Sequence, residues 1–420
     1  MRNRYVALLV LALASLLVLA VTGCGGGTTT TTAAAEGPTT TASGDTGTTT
    51  APASTESTAV APTGDPIVIG AVLSATGPGS PLGEPERATL KMMETELNNA
   101  GGVLGRPVKI VIEDDQTNPK EAVTAVTKLL QQDKAIAVLG SSTSPSTLAI
   151  KPITEQAGIP LIALAAANKI TEPPIDWTWR APPRDALAVQ KALEYISGVM
   201  KLKKIGLLHD ENAYGASGAA EIEKRIGDFG LEVVAKESYK TEDTDLTAQL
   251  TKIKAANPEV IVVWGTNPGP AVAAKNMKQL GMTQPYVGSH GIANKKFIDL
   301  AGAAAEGVIF PAGRLLVPSS FTDPAQKSVV DTFVAAYKEA TGQMPPTFAG
   351  HAFGGLTLLV NAITKAGSTD AAAVQKALNE TRGVATPDGI YNYTTTDHDG
   401  LTVDDLTVVK IQNGTWVLAE

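Results

Sequence analysis

Cysteine occurs once in the 420 residues, at Cys24, so the chain forms no internal disulfide and offers no cysteine-based structural zinc site. Histidine occurs four times, at His209, His290, His351 and His398, and no two have metal-ligand spacing. Basic residues are outnumbered, 34 Lys and Arg against 42 Asp and Glu, for a net charge of −8. An acidic chain argues against nucleic acid and anionic lipid surfaces as partners. Beyond residue 21 no apolar run is long enough to span a bilayer.

What is present begins with a leader. Arg2 and Arg4 precede an apolar run from Tyr5 to Val21, and Val21-Thr22-Gly23-Cys24 follows. A basic start, a short apolar core and small residues at the cut are the parts of a secretory signal. The four-residue junction resembles the lipobox of bacterial lipoproteins, which implies cleavage after residue 23 and acylation of Cys24. The alternative is an uncleaved membrane anchor, for which the run is a little short of the roughly 20 residues a spanning helix needs. Removing residues 1–23 takes away Arg2 and Arg4, leaving 32 basic against 42 acidic residues and a net of −10. Residues 24–65 are rich in Thr, Ala, Gly and Pro, without aromatics and almost without large aliphatics. Such a segment cannot bury enough apolar surface to fold. It reads as a tether reaching on the order of 35 Å. The location expected is therefore outside the cytoplasm, on the bacterial cell membrane through Cys24.

The 355 residues from Pro66 to Glu420 exceed one ordinary core and predict two domains. Ile67 to Leu73 reads as a buried strand, followed by a helical stripe of Leu90, Met93 and Leu97 that Gly101-Gly102 ends. Val108 to Ile112 is a second strand. Asn118-Pro119 caps a helix whose predicted apolar face is Val123, Val126 and Leu130. Ala135–Leu139 and Ile159–Ala163 are further strands with a helix between. After Pro182-Pro183 the alternation resumes, with strands at 204–208, 231–235, 260–263, 286–287 and 308–310. Helical segments are expected at 348–365 and 371–379, and Asn413-Gly414 marks a closing hairpin. Alternation of this kind predicts an α/β fold with parallel central sheets.

Ligands in such sheets bind beyond the carboxyl ends of the strands. Those ends carry residues 74–79, 141–144, 165–168, 209–214, 266–270 and Ser289-His290, small or hydroxyl-bearing residues without an acid-base pair. Gly140-Ser141-Ser142-Thr143-Ser144-Pro145 joins a strand to a helix, with Ser144 as the expected N-cap. Its hydroxyls and free amides make either an anion site or an ordinary capped loop. Tyr214 at a helix start is either a packing residue or a ligand contact.

The ordered set of these segments resembles a known family. Ser74-Ala75-Thr76-Gly77-Pro78, Gly101-Gly102-Val103-Leu104-Gly105-Arg106, Glu113-Asp114-Asp115, Gly140 to Ser144, Trp179-Arg180 to Asp185 and His209-Asp210 to Tyr214-Gly215 look like type I periplasmic binding proteins. The branched-chain amino acid receptors of ABC importers are the nearest branch. The resemblance covers Pro66 to Glu420. It implies two Rossmann-like lobes joined by a three-crossing hinge. The first would hold residues 66–185 and about 314–400, and the second 186–313 and about 401–420.

The resemblance also implies a site between the lobes. Ser142 and Ser144 take the place of carboxylate-binding groups, and Ala165 and Ala167 offer backbone groups. Tyr214 is the second lobe's aromatic contact. Thr266 and Phe353 fall where relatives place tyrosines, and Leu82 replaces another. Where amino acid receptors hold the ammonium with a glutamate, this chain has His290, which cannot act as its counter-ion. The expectation is a monomeric receptor without cofactor that delivers a carboxylate-bearing ligand, an amino acid or an organic or aromatic acid, to ABC permease subunits. A sensory domain using the same cleft stays open.

Two enzyme readings fit less well. Gly77-Pro78-Gly79-Ser80-Pro81-Leu82-Gly83 is one residue too long for a dinucleotide loop and is broken by two prolines, and Glu113 lies 30 residues past Gly83 rather than about 20. Gly215-Ala216-Ser217-Gly218 brings its second glycine one residue early for a nucleophile elbow.

Overall fold

The structure, a computed structural model, describes residues 61–419. The leader, Cys24 and residues 24–60 of the expected tether lie outside the described residues. The chain builds two β/α units in succession. In the first, β1 (Ile67–Leu73), α1 (Ser80–Asn99), β2 (Val108–Asp114), α2 (Pro119–Gln131), β3 (Val138–Gly140), α3 (Ser144–Ala157), β4 (Leu161–Ala163) and β5 (Thr178–Arg180) follow one another. All pairings are parallel, in the order β2-β1-β3-β4-β5, with Ile67 opposite Val108.

The second unit runs through α4 (Asp185–Glu194), β6 (Lys204–Asp210), α5 (Ala213–Arg225), β7 (Glu232–Tyr239), α6 (Thr247–Ala255), β8 (Val260–Trp264), α7 (Gly269–Gln279), β9 (Tyr286–Gly288), α8 (Lys295–Ala301) and β10 (Ile309–Gly313). Its parallel strands stand in the order β7-β6-β8-β9-β10, the same winding as the first sheet. The chain then returns. α9 (Pro324–Thr341), α10 (Thr347–Ala366), α11 (Ala371–Asn379) and the hairpin β11 (Val384–Thr386) and β12 (Gly389–Tyr391) pack on the first sheet through Phe333, Phe353, Leu356, Leu378 and Tyr391. Finally β13 (Leu406–Gln412) pairs antiparallel with β10, and β14 (Thr415–Leu418) closes the edge.

Apolar residues explain both layers. β1 and β8 are buried on both faces, as a parallel strand between two helix layers must be. One face of the first sheet packs Leu90, Met93 and the α10 leucines, and the other packs Val126, Leu129 and Ile150. The second sheet likewise separates a cluster around Leu250, Ile253 and Phe297 from one around Val189, Leu193 and Ile222. The molecule is thus α/β, with two lobes that each hold a parallel sheet.

Three segments pass between the lobes: 181–184, 314–323 and 392–405. The first and third are tied together. Arg180, fully buried, pairs with Asp399 at 2.7 Å, and the hydroxyls of Tyr391 and Tyr393 donate to the carbonyls of Ala181 and Arg180.

Several local expectations shift. β3 begins at Val138 rather than Ala135, and β4 at Leu161. The buried face of α2 is Ala122, Ala125, Val126 and Leu129, so Val123 and Leu130 flank it instead of forming it. Trp179 lies in β5 and is buried. Ser144 is the first helical residue and not the cap; Thr143 holds the cap position without a side-chain hydrogen bond.

Candidate functional site

Both sheets reverse direction of winding between their first and third strands, β1 and β3 in one lobe and β6 and β8 in the other. That crevice is where open parallel sheets hold ligands. A cavity of about 350 Å³ lies there, lined from both lobes. Its size is at the lower end of small-molecule sites.

The first lobe supplies a wall of hydroxyls and free amides. Ser142, Thr143 and Ser144 stand at the start of α3, and Thr117 faces in from the loop after β2. Pro145 has no N–H, and no side chain caps the helix, so the amides of its first turn point outward unpaired by any cap. The Ser144 Oγ accepts from the amide of Ala167 at 3.1 Å, which leaves the Ser144 hydrogen free to be donated. Ser142 is held from behind by the Ser74 amide at 3.0 Å and by Glu86.

The floor is the 164–167 loop after β4. Arg180 donates to the carbonyls of Ala165 at 3.1 Å and Ala167 at 2.9 Å, and the Asp185 amide takes the carbonyl of Ala166. Of the backbone groups expected to meet a ligand, the carbonyls of Ala165 and Ala167 therefore already face a guanidinium. Leu82, Leu164, Phe348 and Pro182 give the apolar part of the lining. Gly83, near the start of α1, lets that helix close down on the end of β1: a Cβ there would sit 2.2 Å from the Ser74 carbonyl oxygen. Its glycine serves backbone packing.

The second lobe supplies rings. Asn212 caps α5 by accepting from the amides of Tyr214 and Gly215, which fixes Tyr214 over the cavity. The Tyr214 hydroxyl accepts from the Gly291 amide at 2.9 Å and lies 3.3 Å from His290 Nδ1. The two rings meet edge to face at 5.5 Å, and Trp264 backs both. His290 Nε2 is buried without a partner. Burial lowers its pKa to about 3, with the charges of His351 and Arg180 adding to the effect, so the imidazole is neutral at ordinary pH. His351, on α10, holds Asp388 at 2.9 Å through Nδ1. Among the lining residues there is no Lys, Arg or Asp, and the one Glu is Glu242, exposed at the rim.

Of the residues expected from sequence, Leu82, Ser142, Ser144, Ala165, Tyr214, Thr266 and His290 line the cavity together. Ala167 does not; both its amide and its carbonyl are spent within the protein. Phe353 does not either. It packs on Phe333 at 4.6 Å in the first lobe's core, while Phe348 and His351, three residues apart on α10, face the cavity. Asn212, inside the 209–214 strand end, also lines the cavity, as does Thr117, which falls in none of the strand ends read from the sequence. Among the described residues no group of three or more His, Cys, Asp or Glu could hold a metal ion, and no helix is long and apolar enough to cross a membrane.

This geometry has counterparts. A family model described as periplasmic binding protein matches residues 66–415. The leucine-, isoleucine-, valine-, threonine-, and alanine-binding protein of Pseudomonas aeruginosa is 31% identical over 316 residues, covering 75% of this chain and 82% of that protein. An extracellular ligand-binding receptor from Rhodopseudomonas palustris HaA2 has a TM-score of 0.79 at 27% identity, over 85% of this chain and 100% of that one. The branched-chain amino acid transporter substrate binding protein LivJ from Streptococcus pneumoniae, solved with isoleucine, has a TM-score of 0.76 at 26% identity, over 85% and 99% of the two chains.

Proposed function

The chain belongs to the periplasmic binding protein family, whose members are solute-binding proteins and not enzymes, and from that premise we propose that it is the receptor of an ABC importer for a small carboxylate-bearing solute lacking an α-ammonium group. The observation that carries this reading is the charge of the cavity. At the start of α3 a carboxylate finds hydroxyl hydrogens and open amides with the positive end of a helix behind them. An ammonium finds no buried counter-charge. The resemblance implies a glutamate for the ammonium of amino acids at the place of His290, which is neutral here, and the Ala165 carbonyl is bound to Arg180. Glu242 at the rim is solvated and screened, and a solvated charge is a weak anchor.

His290 adds selectivity of its own. With the Tyr214 oxygen accepting from Gly291, its hydrogen is directed to His290 Nδ1. The imidazole hydrogen then resides on Nε2, a second donor toward the cavity. Donors from both lobes favour a ligand with oxygen acceptors at both ends, and a ligand that bridges them stabilises the closed arrangement of the lobes.

We propose the remaining organisation on sequence grounds: a cleaved leader of residues 1–23, a lipid on Cys24, a tether over 24–65, lobes of 66–185 with about 314–400 and of 186–313 with about 401–420, and a monomer that docks on permease subunits. The ligand reading is tested by isothermal titration with leucine and with 4-methylpentanoate, its skeleton without the amine. Binding of the amine-free acid and not of leucine is expected. Leucine binding tighter than that of 4-methylpentanoate sinks the reading, and mass spectrometry of solute carried through purification gives an independent identification.

A further inference from the structure

Behind the hydroxyl wall lies a carboxyl group that no strand-end rule points to. Glu86, in the second turn of α1, is fully buried and sets its Oε2 against Ser142 Oγ. Its Oε1 has no hydrogen-bond partner. Ser142 Oγ also accepts from the Ser74 amide at 3.0 Å. Beside it, Asp115 accepts from Ser74 Oγ at 2.7 Å, from Ser141 Oγ at 2.5 Å and from the Thr117 amide at 2.8 Å. Two buried carboxyl groups thus share one cluster of serines. Asp115 is supplied with donors, and Glu86 has a single contact.

An ionised Glu86 would combine an unpartnered buried oxygen with a neighbouring anion, both costly in a low dielectric. Burial first, and then the charge of Asp115, raise its pKa well above the carboxylate range, and the Ser142 hydrogen bond offsets only part of that. The other elements packed on α1 do not change the sign. β1 has no titratable residue; on β2, Lys109 is exposed, Glu113 pairs with Lys128 and Asp114 accepts from Thr76; the α9 charge that acts on α1 is Glu339 beside Glu96, and α10 brings His351 to the cavity.

The position of the proton decides what Ser142 can do. When Glu86 donates through Oε2, the Ser142 oxygen accepts twice, from Glu86 and from Ser74, and its own hydrogen is left for the cavity. When Glu86 is ionised, Ser142 must give that hydrogen to Glu86. The cavity then loses a donor and gains a negative charge behind its wall. We propose that Glu86 is a positioning residue that works in its protonated form, turning the Ser142 hydrogen toward the cavity and so selecting an anionic ligand oxygen at that wall.

The inference rests on the carboxylate reading above, and two measurements on the purified protein separate them. Infrared difference spectra of wild type against Glu86→Gln at neutral pH should show the carbonyl stretch of a protonated carboxylic acid in the wild type alone. Its absence overturns the proposal without any ligand. Titrations with 4-methylpentanoate and with benzoate, from neutral to alkaline pH, supply the second arm. Wild-type affinity should fall by about tenfold per pH unit once Glu86 ionises. Glu86→Leu should weaken binding at every pH. Glu86→Gln, whose amide donates to Ser142 without charge, should restore binding relative to Glu86→Leu and abolish the alkaline fall. Identical pH profiles in wild type and Glu86→Gln overturn the proposal. If neither acid binds the wild type, the carboxylate reading fails and takes the ligand half of the inference with it, while the infrared band still decides where the proton is.

Discussion

Burial makes His290 a base that stays unprotonated in the folded protein down to a pKa of about 3, whereas an unfolded histidine takes up its proton near 6.5. The sign of the linkage follows. Because the folded pKa is depressed, the stabilisation is complete above pH 6.5 and is lost as pH falls from 6.5 toward 3. The loss at pH 4 should reach up to about 3 kcal/mol. Denaturant unfolding at pH 7 and pH 4 should therefore show a smaller acid loss in His290→Gln than in the wild type; equal losses would put the acid sensitivity elsewhere. The α10 aromatics give a second contrast. Phe353→Ala should cost roughly 3–5 kcal/mol of stability, because Phe353 is a core side chain on Phe333. Phe348→Ala should mainly weaken ligand binding, as thermal unfolding and titration of the two variants would show. Residues such as Ser142, Ser144, Tyr214 and His290 were legible because strand ends can be read from apolar runs. Phe353 was not, because two residues along a helix turn a side chain to the opposite face, and sequence alone does not say which face meets the cavity.

At the scale of elements, the hairpin between β13 and β14 shows a local signal read correctly. Asn413 and Gly414 both have left-handed backbone, at φ 53° and 70°, as the two central residues of a tight hairpin turn must. Nothing lies within 4 Å of a Cβ added at Gly414, so Gly414→Ala tests the backbone alone. It should lower stability by about 1 kcal/mol and leave ligand affinity unchanged, as urea melts beside titrations would establish. Elements without such a signal were harder to read. α4 buries Ala186, Ala188 and Ala192 beside Val189 and Leu193, a stripe in which alanine hides the helical period. β5 is three residues long, and its Trp179 and Arg180 carry no strand pattern. The charge of Arg180 is neutralised inside by Asp399, 219 positions away, a partnership that no window of sequence displays. α3 is the reverse case: Ser144-Pro145 announced the helix start, yet the serine spends its oxygen on Ala167 of the next loop instead of on its own helix.

For the whole molecule, the two-lobed α/β architecture was legible from the alternation of runs, because each β/α unit repeats one simple pattern. The return of 324–391 to the first lobe does not follow from that alternation and was expected only through the family resemblance, since it depends on which sheet face remained uncovered. The neutral lining of the cavity has a kinetic consequence. Anchoring by hydroxyls, amides and an uncharged imidazole is short-ranged and buried, so salt has little to screen once a ligand is seated. The approach is another matter, because a protein of net charge −8 repels an incoming anion at long range. Stopped-flow measurements with 4-methylpentanoate should show association that quickens with added salt and dissociation that hardly responds. A receptor built in this way captures its solute faster in a saline medium than in a dilute one, yet retains it equally long in both.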